Sequence, residues 1–357
     1  MKFKLKDKIT NTGDWQIINN DLIYVSKDEL KSYNQNNTIL TLTEYWGIMF
    51  LSDFFNVFTN RSFNTFYNYE GTLIKEYDKT NFYYILSEDD LIYYDRVSKK
   101  TMHNEIEIFD GKIGKSFLHM NNIFFDKNRS IHRMDIDTGE LTWQFPISQF
   151  GKFVSSWGEE RDYEIEQFIG IHNNILWIKI SFFSGGLIGL DVETGELRHQ
   201  LKFSNDFIGL TSIKSIKDND VPFYRCNYSL LDNGRIIALA IDIYYEIDLT
   251  SDKPKVTAYG LDEEYQKFGI DKESISHNIV LQENHLYFYN HNQHIFAILN
   301  IETKKIIYVS DKINVPDTQE AWGQLKDLKV SEDKVYVLDS TNTLHIFEQV
   351  PPASASL

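Results

Sequence analysis

The stretch Ser130–Phe145, SIHRMDIDTGELTWQF, constrains the fold more than any other because it returns along the chain. It reads as two alternating strands joined by a tight turn at Asp137-Thr138-Gly139-Glu140. Gly139 suits the left-handed turn position, and Asp137 and Thr138 can bond the turn backbone. The unit recurs at 186–203 (GLIGLDVETGELRHQLKF) and 294–310 (HIFAILNIETKKIIYVS), and more loosely at 244–259 and 29–42. A strand–turn–strand unit cannot bury its apolar faces alone, so repeated copies must stack on one another.

A second anchor precedes each unit: a short polar turn followed by an apolar or aromatic run. It is read at Asn20-Asp21, Asp89-Asp90, Asn121-Asn122, Asn173-Asn174, Asn233-Gly234, Glu283-Asn284 and Asp333-Lys334. The mean interval of about 52 residues is close to the 40–50 residues of four-stranded propeller blades. The expectation is therefore an all-β, single seven-bladed β-propeller of antiparallel blades (strands A to D), with six and eight as alternative counts. The wide gap between Asp21 and Asp90 is read as an insertion over Thr43 to Asn68. Its apolar run Tyr45–Phe58 is assigned either to a buried cover or to an exposed aromatic patch.

The last unit offers A (Leu325 to Ser331), B (Lys334 to Asp339) and C (Thr343 to Gln349), then stops at Pro351-Pro352, where proline cannot donate to a ladder. Lys2 to Lys8 alternates and belongs to no other blade, so it is expected to supply the missing D strand and close the edge. The propeller domain is thus placed at 1–350, with 351–357 a disordered tail.

The turn unit Asp135-x-x-Thr138-Gly139-Glu140-x-x-Trp143 resembles the D-x-x-T-G-[KE]-x-x-W repeat of the PQQ-like (quinoprotein) β-propellers. Asp191 to His199 departs from it by placing His199 where the tryptophan stands, and Asn300 to Tyr308 loses the Asp, Gly and Trp. The resemblance implies the propeller fold and a packing role for Trp143 between neighbouring blades. Enzymatic members carry pyrroloquinoline quinone and calcium, are longer and are periplasmic; none of their cofactor residues maps onto this chain. The resemblance therefore points to the non-catalytic relatives, with no cofactor.

Charge narrows the partners. Fifty-two acidic against 36 basic side chains give a net −16, which disfavours nucleic acid and anionic lipid and suits a basic protein. The single cysteine, Cys226, allows no internal disulfide, and the N-terminal stretch has no apolar signal core. The chain is accordingly expected to be cytoplasmic, and monomeric on its own.

The long segments, Ile147 to Tyr163, Ser204 to Arg225, Leu261 to Ser276 and Asp311 to Gly323, all join a D strand to the next A strand. In antiparallel blades these connections emerge at one end, where loops on a rigid scaffold usually bind. Partner contacts are therefore expected from Trp157, Glu159, Glu160, Asp162, Tyr163, Asp218, Asp220, Asp262, Glu263, Glu264, Tyr265, Asp317, Glu320 and Trp322. Trp and Tyr anchors among acids are what a Lys- and Arg-rich surface selects. The sequence holds no nucleophile motif and no phosphate cradle. His291 and His294, with His285 upstream, lack the further ligands a metal site needs. The expected role is a non-enzymatic protein binder, for example an inhibitor or immunity protein. The alternative is a carbohydrate-active or metal-assisted hydrolase whose paired carboxylates would face a central funnel.

Overall fold

The computed structural model describes residues 1–58, 63–78, 80–87, 89–154, 158–180, 186–203, 220–221, 226–276, 278–316 and 324–351. Almost all of the regular structure is antiparallel β, arranged as eight four-stranded blades rather than seven. They occupy 12–41, 47–78, 80–110, 116–146, 165–203, 228–260, 280–309 and 325–349, the last completed by Phe3–Ile9. Two compact units contain them: blades 1, 2, 7 and 8 in one, and blades 3 to 6 (81–260) in the other.

The additional blade is the second, lying where an insertion was expected. Gly47–Phe50 and Phe54–Phe58 are its A and B strands, so Tyr45–Phe58 forms mainly a hairpin, with Phe54, Phe55 and Val57 buried and Trp46 exposed. The repeat is hidden because its A–B turn is Leu51-Ser52-Asp53, not an Asn or Asp pair before an aliphatic run. Its C–D turn uses Asn68, whose Oδ1 accepts the Glu70 and Thr72 N–H groups at 3.2 and 2.8 Å, instead of the Asp-x-x-Thr-Gly pattern. With this blade counted, the anchor spacing falls to about 45 residues, inside the propeller range.

Local chemistry explains why the repeats turn where they do. Asn19-Asn20 and Asn173-Asn174 join A to B as two-residue loops with φ values of 49° and 63°, and 49° and 60°. Both positions are left-handed, as a primed hairpin turn requires, and asparagine tolerates that region better than most residues. At the C–D turns the main bonding group lies two residues before the predicted turn, while Thr138 Oγ1, as expected, accepts a turn N–H, that of Glu140 at 3.3 Å. Asp135 Oδ1 accepts from the N–H of Asp137 (3.1 Å) and Thr138 (2.9 Å), while the Asp137 carboxylate takes Asn121 Nδ2 at 2.6 Å. Asp191 repeats this with Glu193 and Thr194, and Asn300 with Glu302 and Thr303.

The B and C strands of blade 5, Ile175–Ile180 and Gly186–Asp191, are almost wholly buried, because blades stack on both faces. D strands such as Leu141–Pro146 are mostly exposed. In the 81–260 unit, Phe124 and Ile131 of blade 4 pack on Leu176, Ile178, Ile188 and Leu190 of blade 5. In the other unit, Tyr289 and Phe296 of blade 7 pack on Leu328, Val335 and Phe347 of blade 8. There Phe3–Ile9 pairs antiparallel with Leu344–Gln349, from Phe3↔Gln349 to Ile9↔Leu344, so the strand expected at Lys2 to Lys8 does complete the last blade. Phe3 also meets Phe296 and Tyr308 of blade 7, with ring centroids 5.8 and 5.2 Å apart.

Trp143 takes the inter-blade position that its resemblance implied. Its Nε1 donates to the Val192 carbonyl of blade 5 at 2.8 Å, and its ring lies over Gly195. Gly195 has φ of +72°, and a Cβ there would stand 2.6 Å from the indole. Gly195→Ala should therefore cost roughly 2–4 kcal/mol, left-handed strain plus overpacking. Gly139→Ala shares the strain (φ +70°) but meets its nearest atom at 3.2 Å, and should cost less. Chemical denaturation of both variants checks this; equal losses would show that the indole contact is irrelevant.

Candidate binding surfaces

The D–A connectors are structured where they are described. Between blades 4 and 5 a 3-10 turn (Ile147–Phe150) leads into a short hairpin, Lys152–Val154 with Glu160–Asp162. Glu159 and Glu160 project into solvent, their side chains 63% and 70% exposed, and pair with Arg161 (2.8 Å) and Lys152 (3.5 Å) on the same connector. Asp162 is tied back by Arg129 at 2.8 Å. Tyr163 is half-buried with its ring against Phe150, and burial raises its phenol pKa.

Between blades 6 and 7 the connector contains a helix, Asp262–Phe268, that the sequence reading did not anticipate. Its signals were present: three acids in the first turn, Lys267 in the last, and Gly269 as a left-handed cap (φ 66°). Of the residues chosen here, only Glu263 is free for an outside surface. Asp262 pairs with Lys272 at 3.1 Å, and Glu264 Oε2 accepts the Ile306 N–H at 2.9 Å from the D strand of blade 7. Tyr265 is 2% exposed and packs against Phe288. Asp220 forms a short parallel strand with Val221 beside Leu197–Phe203. Trp157, Asp218, Asp317, Glu320 and Trp322 lie outside the described residues, as does the tail from Pro352. The predicted residues thus gather as one acidic hairpin and one acidic helix, in separate compact units.

The histidines of blade 7 serve packing. His291 Nδ1 donates to the Leu325 carbonyl at 2.8 Å, and His294 is buried at the B–C turn. Among the described residues no three His, Cys, Asp or Glu side chains converge as a metal set.

A cleft of about 370 Å³ lies within the 81–260 unit, between the A–B and C–D turns of blades 5 and 6. That is the end away from the long connectors of these blades. Its floor follows from strand register. Trp177, Gly189 and His199 sit side by side on the B, C and D strands of blade 5. With no side chain on Gly189, the Trp177 and His199 rings close over it and stack at 5.4 Å and 10°. One wall is His172, which abuts Gly234; a Cβ at that glycine would lie 2.4 Å from His172 Nε2. The facing wall is the C–D turn of blade 6, Leu249 to Pro254, where Thr250 Oγ1 donates to Asp248 at 2.7 Å.

Electrostatically the cleft is mixed. Arg198 reaches Asp191 at 3.2 Å and Glu196 at 3.1 Å. The Thr194 N–H holds Asp191 below the ordinary carboxylate value, against partial desolvation and helped by Arg198. Burial pushes the His199 imidazole down, and the neighbouring Arg198 guanidinium adds to that. Trp177, 2% exposed, has no acceptor for its indole N–H among the described residues. The arrangement offers donors from indole, imidazole and guanidinium and acceptors from Asp252 and the backbone. The sequence displayed one half of this site, His199 in the tryptophan position. The other half, a neighbouring turn without glycine, becomes meaningful only once blades 5 and 6 are stacked.

No known protein family matches the sequence, and no curated protein does. Solved structures do. BamB from Moraxella catarrhalis superposes with a TM-score of 0.56 at 12% identity, covering 97% of this chain and 100% of that one. The computationally designed protein Ika8 gives 0.52 at 9%, covering 95% and 96%. The WD40 domain of SCAP from fission yeast gives 0.52 at 9%, covering 97% of each. Identities this low speak to architecture alone, and together with the eight four-stranded blades they make this chain a β-propeller.

Proposed function

We propose that this chain is a non-enzymatic protein-binding propeller of the cytoplasm, and that its D–A connectors engage a basic partner in the manner of an inhibitor or immunity protein. The observation that carries the reading is the acidic hairpin at Lys152–Asp162, whose Glu159 and Glu160 stand in solvent on a braced connector. A net charge of −16 would steer a basic surface toward it. Buried Cys226, the only cysteine, supports a reducing compartment, and burial pushes its thiol up to about 11.

The test reverses the three exposed acids together, Glu159→Lys, Glu160→Lys and Glu263→Lys, leaving the internally bonded Asp262 and Glu264 intact. A partner captured by the wild-type protein and then purified should bind the triple variant at least tenfold more weakly by calorimetry. Wild-type affinity should itself fall as salt rises from 50 to 300 mM. Equal binding by both proteins at low salt would reject the acidic surface.

A further inference from the structure

One kind of contact, a ring N–H of one blade donating to a carbonyl at the C–D turn of the next, joins consecutive blades of the 81–260 unit. In blade 3 the donor comes from the end of the C strand, where His103 Nδ1 donates to the Ile136 carbonyl at 2.9 Å. Trp143, eight after Asp135, donates from Nε1 to the Val192 carbonyl at 2.8 Å and covers Gly195. In blade 5 the position holds His199, eight after Asp191, and the carbonyl equivalent to Val192 belongs to Leu249.

That third contact is not made. Among the described residues His199 donates to nothing and stacks on Trp177, and the Leu249 carbonyl accepts no hydrogen bond. The turn that would underlie the ring has also changed. Glu193-Thr194-Gly195-Glu196 of blade 5 is answered in blade 6 by Thr250-Ser251-Asp252-Lys253-Pro254. The result is the cleft of about 370 Å³ already described, within the size range of sites that bury a ligand. It has an aromatic floor, an unused acceptor in Leu249, and two buried or half-buried donors, Trp177 and His199, without partners among the described residues.

We infer that the cleft between blades 5 and 6 is a docking seat for a tryptophan side chain of a partner protein, the indole lying against His199 and donating to the Leu249 carbonyl. The Trp143–Val192 contact one blade earlier shows the geometry such a side chain would adopt on this scaffold. Aromatic stacking adds to the burial of so large a side chain. Charge selects the flanks: Arg198 is already paired with Asp191 and Glu196, which leaves Asp252 at the rim of a chain carrying −16. Lysine or arginine beside the tryptophan is therefore favoured. This seat is independent of the acidic connector, because it lies on the turns at the other end of its blades.

The peptide Ac-Lys-Trp-Lys-amide should bind the full chain saturably, with at least tenfold higher affinity than Ac-Lys-Ala-Lys-amide, followed by NMR of 15N-labelled protein. It should move the imidazole signals of His172 and His199. His199→Trp places an indole from within, and should abolish peptide binding while leaving the melting temperature equal or higher. The triple connector variant should bind the peptide as the wild type does, which separates this seat from the loop surface. Equal affinity for the two peptides, or undiminished binding by a folded His199→Trp protein, overturns the proposal. If His199→Trp fails to fold, the wild-type imidazole signals decide. Shifts with the Trp peptide alone support the seat; shifts with neither peptide, or with glucose instead, overturn it.

Discussion

Asp339→Ala is expected to remove roughly 3–5 kcal/mol of stability, the range for removing one member of a buried, hydrogen-bonded polar pair. Asp339 and His345 are each about 1% exposed, with His345 Nε2 2.8 Å from Asp339 Oδ2. The other carboxylate oxygen accepts the Thr341 N–H (2.8 Å), the Thr341 hydroxyl (2.7 Å) and the Thr343 N–H (3.0 Å), so one side chain organises the whole B–C turn of blade 8. Since His345 Nδ1 is already without a partner, the alanine variant would leave both imidazole nitrogens unsatisfied in the interior. A melting-temperature drop of about 10 °C follows for a unit of this size. Asp339→Asn, which retains an acceptor for the turn, should lose about half as much.

The same carboxylate carries a pH signature. Burial alone would raise its pKa, but His345, Thr341 and Thr343 together hold it below the ordinary 3.8. A depressed carboxylate contributes stability that is fully present above the unfolded value and is lost as pH falls through the folded one. Unfolding free energy of the wild type should therefore decline below about pH 4, and Asp339→Ala should flatten that acid limb. An unchanged limb, or a loss under 1 kcal/mol, would show that the pair is incidental.

Removing residues 1–9 should be comparably damaging. The deletion takes away the whole D strand of blade 8, the Lys6–Glu348 pair at 2.6 Å and the Phe3 contacts with blade 7. Net hydrogen bonds of about 0.5–1.5 kcal/mol each, with part of a phenylalanine's burial, amount to roughly 5 kcal/mol. The strand Leu344–Gln349 would then present an unpaired edge, a template for association between copies. Size-exclusion chromatography should show oligomers or aggregate, and a synthetic peptide of residues 1–10 added in trans should restore monomer. A truncated protein that stays monomeric and melts like the wild type would refute this account.

Architecture was legible in this sequence wherever the turn chemistry was explicit. Asparagine pairs at 19–20 and 173–174, and the Asp-x-x-Thr-Gly turns at 135 and 191, each demand a backbone conformation that few other residues adopt. Blade 2 escaped because its A–B turn, Leu51-Ser52-Asp53, has no left-handed asparagine pair, and its C–D turn has Asn68 in the carboxylate's place. Register could not be seen there either, since its B strand, Phe54–Phe58, is buried on both faces and shows no alternation. The surface sites were harder still. Glu264 and Tyr265 read as an acidic aromatic loop, yet helix geometry turns one onto a strand edge and the other into the core. A contact between blades depends on two distant stretches at once, so His199 gained significance only beside Leu249.

That blade 8 draws its outer strand from a segment lying ahead of blade 1 has a kinetic corollary. During synthesis Phe3–Ile9 is made ahead of all the other strands described and must wait for Leu344–Gln349 before it finds its partner. Throughout that interval an alternating Lys-rich segment stays unmatched in the growing polypeptide, and its lysines discourage premature association during the delay. Locking of the final blade thus depends on a long-range encounter that sets its rate.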